Sequence, residues 1–241
     1  IKHDWDYDAD NRLNKINITN SSDEIVKRFI YTLADTGNRT ACTELDYGGA
    51  VPAPGRVAAW EYDNMYRLTS ETISNDPDVN GEVTYEYDAV GNRETRTSTL
   101  APVSVQSFNY DNNDRISGYG FDDMGSTTSA PGNWIYAYDP EGRLLTATDG
   151  TKTVNYQYDG MGNRVGKTVD GVETRYLVDS SNPTGYSQTL EEQDSAGNVI
   201  KRYTYGLDLV CVNEYTGGGW NTSYYGYDGM GSVRQLFDSS G

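Results

Sequence analysis

Short runs of alternating polar and apolar character, rarely more than eight or nine residues long, repeat along this chain between turn-forming residues. "TKTVNYQY" (Thr151 to Tyr158) sets Val154, Tyr156 and Tyr158 at every second position, and "NRVGKTV" follows it across a turn. Both are rich in Thr, Val and Tyr, which predicts strands about 25 Å long at roughly 3.3 Å per residue. No segment of useful length carries a helical period. "SSDEIVKRFIY" (Ser21 to Tyr31) is the one helix-like candidate, and its run into the next repeat favours a strand.

One turn grammar, D-x-x-G, recurs between these strands, with an aromatic before the aspartate and a polar residue after the glycine in most copies. It reads Tyr87, Asp88 and Gly91; Phe121, Asp122 and Gly125; Tyr138, Asp139 and Gly142; Tyr158, Asp159 and Gly162, with Arg164 opening the return strand; and Tyr227, Asp228 and Gly231. Asp194 and Gly197 keep the turn without the tyrosine, and Gly37 keeps the glycine while Ala34 stands in the aspartate slot. Asn11, Asp114 and Tyr66 replace the glycine in three further copies. Asn and Asp tolerate a left-handed backbone best among non-glycine residues, so the slot calls for positive φ, and Tyr66 predicts a different local turn.

A second turn signal alternates with the first. Asn80-Gly81, Asp149-Gly150 and Asp170-Gly171 predict two-residue type I′ hairpins. A two-residue turn at Asp149-Gly150 sets Leu145 opposite Val154 and Arg143 opposite Tyr156. Arg143, Leu145, Val154, Tyr156 and Tyr158 then share one face, with Leu144, Thr146, Thr153, Asn155 and Gln157 on the other. The first face is aromatic with an arginine across it, suited to cation–π stacking, and a one-sided sheet must cover it. "AVPAPGRVAA" (Ala50 to Ala59) reads as a Pro/Gly loop, and residues 180–205 as a variant hairpin opened by Asn182-Pro183. The expected fold is all-β, a repetitive antiparallel hairpin meander forming one curved sheet. Residues 1–241 form a single array of roughly ten units at about 20 to 29 residues each.

Composition sharpens this picture. Only 36% of the residues are hydrophobic, and 21 tyrosines supply most of the large rings. Each ring packs while its hydroxyl needs a partner, which suits thin, wet sheets. The abundance of Tyr, Thr and Val argues against disorder. A net charge of −17 repels nucleic acid and anionic membrane surfaces, and no apolar run approaches a membrane span. The N-terminus "IKHDWDYDAD" is neither a signal nor a transit peptide. Cys42 and Cys211 read as two buried free thiols.

The repeated Y-x-Y-D-x-x-G-N-R pattern resembles the RHS-repeat or YD-repeat family over nearly the whole chain. "RYLVDSSNPTGYSQTLEEQDSAGNVIKRYTYGLDLV" with "YYGYDGMGSVRQLFDSSG" resembles the stretch before that family's C-terminal core. The resemblance implies a long β-strip wound into a spiral hollow shell. In bacterial toxin systems such a shell encloses a C-terminal toxin, and a similar barrel belongs to animal cell-surface adhesion proteins of the teneurin type. The family's self-cleaving core motif would lie after Gly241, so no catalytic residue carries over to this chain. The chain therefore reads as a stretch of a longer protein, with sheet edges to be covered at both ends.

Chemical readings of the aspartates fare less well. Each sits at the same turn position, where backbone N–H groups lower its pKa instead of driving neighbouring carboxylates apart. His3 is the single histidine, at a terminus that reads as exposed, which disfavours histidine triads and histidine metal sites. Asp4 to Asp10 space carboxylates as D-x-D-x-D, but a calcium loop counted from Asp4 has Ala9 at its glycine position and Lys15 at its glutamate position. Asp6 and Asp8 point to one strand face in this reading. The sequons at Asn17, Asn20, Asn38 and Asn221 read as chance matches in a bacterial chain.

No catalytic, metal or cofactor site is expected. The function read from the sequence is a non-enzymatic shell segment of a secreted or surface protein, with the remainder of the same protein and its C-terminal cargo as partners. Self-association through open edges and carbohydrate or cell-surface contact are further partner classes. The competing readings are an extracellular adhesive or self-assembling array and a carbohydrate-binding or sugar-active β-propeller-like module.

Overall fold

The computed structural model describes residues 1–47 and 55–238. Among them the regular elements are all β-strands, arranged in two sheets within which each strand is hydrogen-bonded to its neighbour in sequence. The first sheet runs in chain order through β1 (Lys2–Tyr7), β2 (Leu13–Thr19), β3 (Ile25–Leu33), β4 (Arg39–Asp46), β5 (Arg56–Tyr62), β6 (Leu68–Ser74), β7 (Gly81–Tyr87), β8 (Arg93–Ser98) and β9 (Gln106–Ser107). The second runs through β10 (Gly120–Phe121), β11 (Thr127–Ala130), β12 (Trp134–Tyr138), β13 (Leu144–Thr148), β14 (Thr153–Tyr158), β15 (Arg164–Val169), β16 (Val172–Asp179), β17 (Gln188–Asp194), β18 (Val199–Tyr205), β19 (Leu209–Tyr215), β20 (Trp220–Tyr227) and β21 (Val233–Phe237).

The chain divides into two compact units. One contains Ile1–Asp114 together with the residues from Gly226 onward, and the other contains Arg115–Tyr225. The dry core lies in the first unit: Ile16, Ile18 and Phe29 are fully buried, and Ala58, Ile73, Val83 and Leu100 form a cluster edged by Trp60 and Tyr85. In the second unit the buried hydrophobic residues are Ala147 and Cys211 alone among those described. Its strands use half-buried tyrosines in place of a dense aliphatic layer, a consequence of the tyrosine-rich composition.

Several sequence-based expectations are corrected. The Asp149-Gly150 connection is a four-residue loop, because Thr148 pairs with Thr153 and Ala147 with Val154. The Asp149 carboxylate accepts from the Thr151 and Lys152 N–H groups, so it holds the wider loop. A bulge next to Tyr138 pairs it with Leu144, and Leu145 is the exposed member of the two leucines. Both leucines thus leave the faces assigned by strict alternation. Asn80-Gly81 does not close a tight hairpin either. Ile73 pairs with Gly81, and residues 75–80 form a loop held by the Asp76 and Asn80 side chains. Asp170-Gly171 is a two-residue turn with φ of 49° and 87°, flanked by the Val169–Val172 pair.

Within Ala50 to Ala59, residues 50–54 lie outside the described residues, but Arg56 to Ala59 belong to β5 and are not loop. Asp8 lies in a turn and not on a strand face with Asp6. His3 is half-buried, its ring edge-on to Tyr227, and burial lowers its pKa.

Candidate functional site

The geometry shared by the repeats is the D-x-x-G turn. In the Asp159 copy, the Asp159 N–H donates to the Asn163 carbonyl at 2.9 Å, and the Gly162 N–H donates to the Asp159 carbonyl at 3.1 Å. Asp159 Oδ1 accepts from the Met161 and Asn163 N–H groups, both at 2.9 Å, while Oδ2 accepts from Asn163 Nδ2 at 2.9 Å. Gly162 takes a φ of +85°, a region that an L side chain rarely occupies. The same backbone bonds form at Asp8, Asp63, Asp88, Asp122, Asp139, Asp194 and Asp228.

Two copies show which part of the turn is obligatory. At Ala34 both backbone bonds form at 2.9 Å with no carboxylate present. At Asn20 the amide oxygen takes the carboxylate's place, accepting from Ser22 and Glu24, and Asp23 holds the left-handed slot at φ 60°. This copy escapes the D-x-x-G pattern because both of its key residues are substituted. Tyr66 also adopts the common turn, at φ 62° and with its N–H 3.0 Å from the Asp63 carbonyl. The expected alternative turn at Tyr66 is therefore replaced by a strained copy of the ordinary one.

Tyrosine links five of the described turns to the preceding repeat. The residue before the turn aspartate donates its hydroxyl to the carbonyl five positions past the start of the preceding turn. Tyr62 reaches Arg39, Tyr87 reaches Leu68, Tyr110 reaches Arg93, Tyr138 reaches Thr127 and Tyr158 reaches Leu144, at 2.7 to 2.9 Å. Each bond satisfies a hydroxyl that would otherwise be desolvated on the packed face.

Arginine adds two further links. Four positions past the turn aspartate, Arg67 lies 4.8 Å from the Tyr87 ring of the next repeat, Arg143 lies 5.2 Å from Tyr158, and Arg115 lies 5.5 Å from Phe121. Arg12 and Arg67 also donate to the first carbonyl of the next turn, at Ala34 and Asp88. One position later, Arg39, Arg93 and Arg164 lie over a tyrosine of their own hairpin: Tyr31, Tyr85 and Tyr156. Arg93 and Arg164 also lie over a ring of the following strand, Phe108 at 5.1 Å and Tyr176 at 5.3 Å, so arginines at either position bridge neighbouring repeats.

The turn carboxylates are hydrogen-bond acceptors, and at Asp159 and Asp139 the turn favours the charged form. In Asp159 the Asn163 side-chain amide and backbone N–H lower the pKa, and in Asp139 the Arg143 N–H leads, joined by its guanidinium 2.5 Å away. Their oxygens are engaged within the turn, which suits a structural cap and opposes proton transfer. Asp6 pairs with Lys15 at 2.7 Å and Asp4 with Lys2 at 2.9 Å, so those carboxylates bind cations of the chain itself.

The Asp228 turn packs within the first unit. Gly229 donates its N–H to the Tyr31 hydroxyl at 2.6 Å, and its carbonyl accepts from Arg39 at 2.7 Å. A Cβ on Gly229 would lie 2.8 Å from Leu13 and 3.0 Å from Tyr31, which explains glycine there. Nearby, buried Glu44 meets Arg234 at 2.6 Å, Arg56 at 2.7 Å and Lys27 at 3.5 Å. Burial raises the pKa of the neighbouring Cys42 thiol to about 12, and Cys42 and Cys211 are both free and buried.

These features define an antiparallel β array whose repeats are joined by a tyrosine and arginine ladder, a structural repeat protein. Residues 138–175 match the family model described as RHS Repeat. The chain belongs to the RHS-repeat, or YD-repeat, family. The tRNA3(Ser)-specific nuclease WapA of Bacillus spizizenii is 34% identical over 191 residues, which is 75% of this chain and 8% of that protein. Teneurin-4 of Homo sapiens is 25% identical over 215 residues, covering 75% of this chain and 7% of that protein. The crystal structure of TcdB2-TccC3-Cdc42 shares the fold, with a TM-score of 0.68 at 16% identity over 99% of this chain and 14% of the matched one. The chain thus spans under a tenth of the length of these two curated relatives.

Proposed function

We propose that this chain is a non-enzymatic wall segment of a longer, secreted or cell-surface bacterial RHS protein, and that the wall encloses a C-terminal effector. The observation that carries the reading is the ladder itself. Turn aspartates cap their own turns, while tyrosine hydroxyls and arginines join neighbouring repeats. Similarity to WapA proteins and to the TcdB2-TccC3 fold supports the same reading. The partners are accordingly the remainder of the same polypeptide and its cargo.

Limited proteolysis of the full-length natural protein tests this. The segment after the repeats should resist protease while the repeat array is intact and become digestible when turn glycines such as Gly162 are replaced. Equal digestion of that segment with and without the array would overturn enclosure.

A further inference from the structure

The first unit contains a cavity of about 660 Å³, lined by residues of β3 to β6 and by the Asp228 turn. That is ample for a small molecule, and its wall combines the rings of Phe29, Trp60 and Tyr62 with a few charged groups, the composition of a ligand pocket. Five of those charged residues are neutralised by the protein: Arg12 by Asp8, Arg56 and Arg234 by Glu44, and Asp228 by Arg234. Arg39 and Glu71 are different. Among the described residues neither forms an ion pair, with each other or with any other group.

Glu71 is the odder of the two. It pairs across the sheet with Trp60 on one side and Val83 on the other, so a carboxylate occupies the apolar face with no hydrogen-bond donor among the described residues on it. Arg39 uses one N–H on the Gly229 carbonyl and lays its guanidinium over Tyr31, leaving further N–H groups free. One strand, β5, separates the strands that carry the two residues, so their backbones stand at least about 9.6 Å apart on the cavity wall.

Tyr66 supplies an independent signal at the same place. It lines the cavity, is 61% exposed, and makes no hydrogen bond through its hydroxyl and no ring contact among the described residues. Yet it is held at φ 62° in a slot that Gly, Asn or Asp fills in other copies. A non-glycine residue kept in that region without a compensating contact marks a position selected for something other than stability.

We propose that this cavity binds a small zwitterion of the amino-acid class with an apolar or aromatic side chain. Glu71 takes its ammonium group, Arg39 takes its carboxylate, and Trp60 and Tyr62 take its side chain, with Tyr66 closing over it from the mouth. The two unneutralised charges select a ligand that carries both signs, and the aromatic wall selects its side chain.

Calorimetric titration of the 241-residue chain with L-phenylalanine tests the proposal. Saturable binding is expected, and phenylacetate and phenethylamine, each lacking one charge, should bind roughly tenfold more weakly or worse. Glu71→Gln should weaken L-phenylalanine binding by roughly tenfold without lowering the melting temperature. Tyr66→Gly should weaken binding while raising the melting temperature, a combination that a purely structural tyrosine does not produce. Absence of saturable heat with both L-phenylalanine and L-leucine, or binding that Glu71→Gln leaves unchanged, would overturn it.

Discussion

Tyr158 donates its hydroxyl to the carbonyl of Leu144 at 2.9 Å, tying one turn to the strand that left the preceding turn. Four other tyrosines repeat this step at the same offset from the preceding turn, so the bond is a unit of construction. Tyr158→Phe keeps the ring under Arg143 and removes only the donor. A loss of about 1 kcal/mol in urea unfolding is expected, the net worth of one hydrogen bond. Tyr158→Ala should lose about 3 kcal/mol, because ring burial goes as well.

Tyr66 and Gly162 occupy the same slot of the turn with opposite consequences. Gly162→Val places a β-branched residue at φ +85° and should destabilise by roughly 1 to 2 kcal/mol. Tyr66→Gly relieves strain that is already present and should stabilise by about 1 kcal/mol. Paired denaturant titrations check both signs, and equal signs would refute the strain argument.

Asp139 and Asp159 separate capping from charge. Asp159→Asn keeps an oxygen for the Met161 and Asn163 N–H groups and should change the melting temperature little. Asp139→Asn also discards the charged contact with Arg143, which in turn covers Tyr158. The second variant should be the less stable of the two by thermal melting.

Glu44 collects three cations in a buried position. Glu44→Gln removes the shared countercharge and should destabilise by about 1 kcal/mol, because Arg56, Lys27 and Arg234 keep Asp76, Asp46 and Asp228 as second partners. Unchanged unfolding would show that water reaches the cluster and screens it.

Asp149 gives a pH signature. Its carboxylate accepts first from the Lys152 N–H and also from the Thr151 hydroxyl and N–H, which lowers its pKa from 3.8 to about 2. A folded-state pKa below the unfolded one stabilises the fold above the unfolded value, and that contribution is lost as pH falls through the folded value. Stability should therefore decline as pH drops from 3.8 towards 2, and Asp149→Asn should flatten that slope. A variant with the same slope as the parent would assign the decline to other carboxylates.

The sequence by itself determined the all-β class, the positions of most turns and the aromatic-plus-arginine character of the packed face. These rest on contacts within four or five residues, such as the Gly162 N–H with the Asp159 carbonyl, so the local string carries them. It erred where local strings are degenerate. Asp149-Gly150 and Asp170-Gly171 look alike as dipeptides, yet pairing with adjacent strands makes the first a four-residue loop and leaves the second tight. At Tyr66 the neighbouring strands impose the common turn against the residue's own preference.

Tertiary structure alone decided the rest. Tyr31 with Gly229 and Glu44 with Arg234 meet across 198 and 190 residues, and no periodicity encodes such a pairing. Those contacts frame the cavity in which Arg39 and Glu71 stand without ion-pair partners among the described residues. Local hydrogen bonding fixes what each repeat is, but only the closure of distant repeats fixes which charges are neutralised and which are left for a ligand.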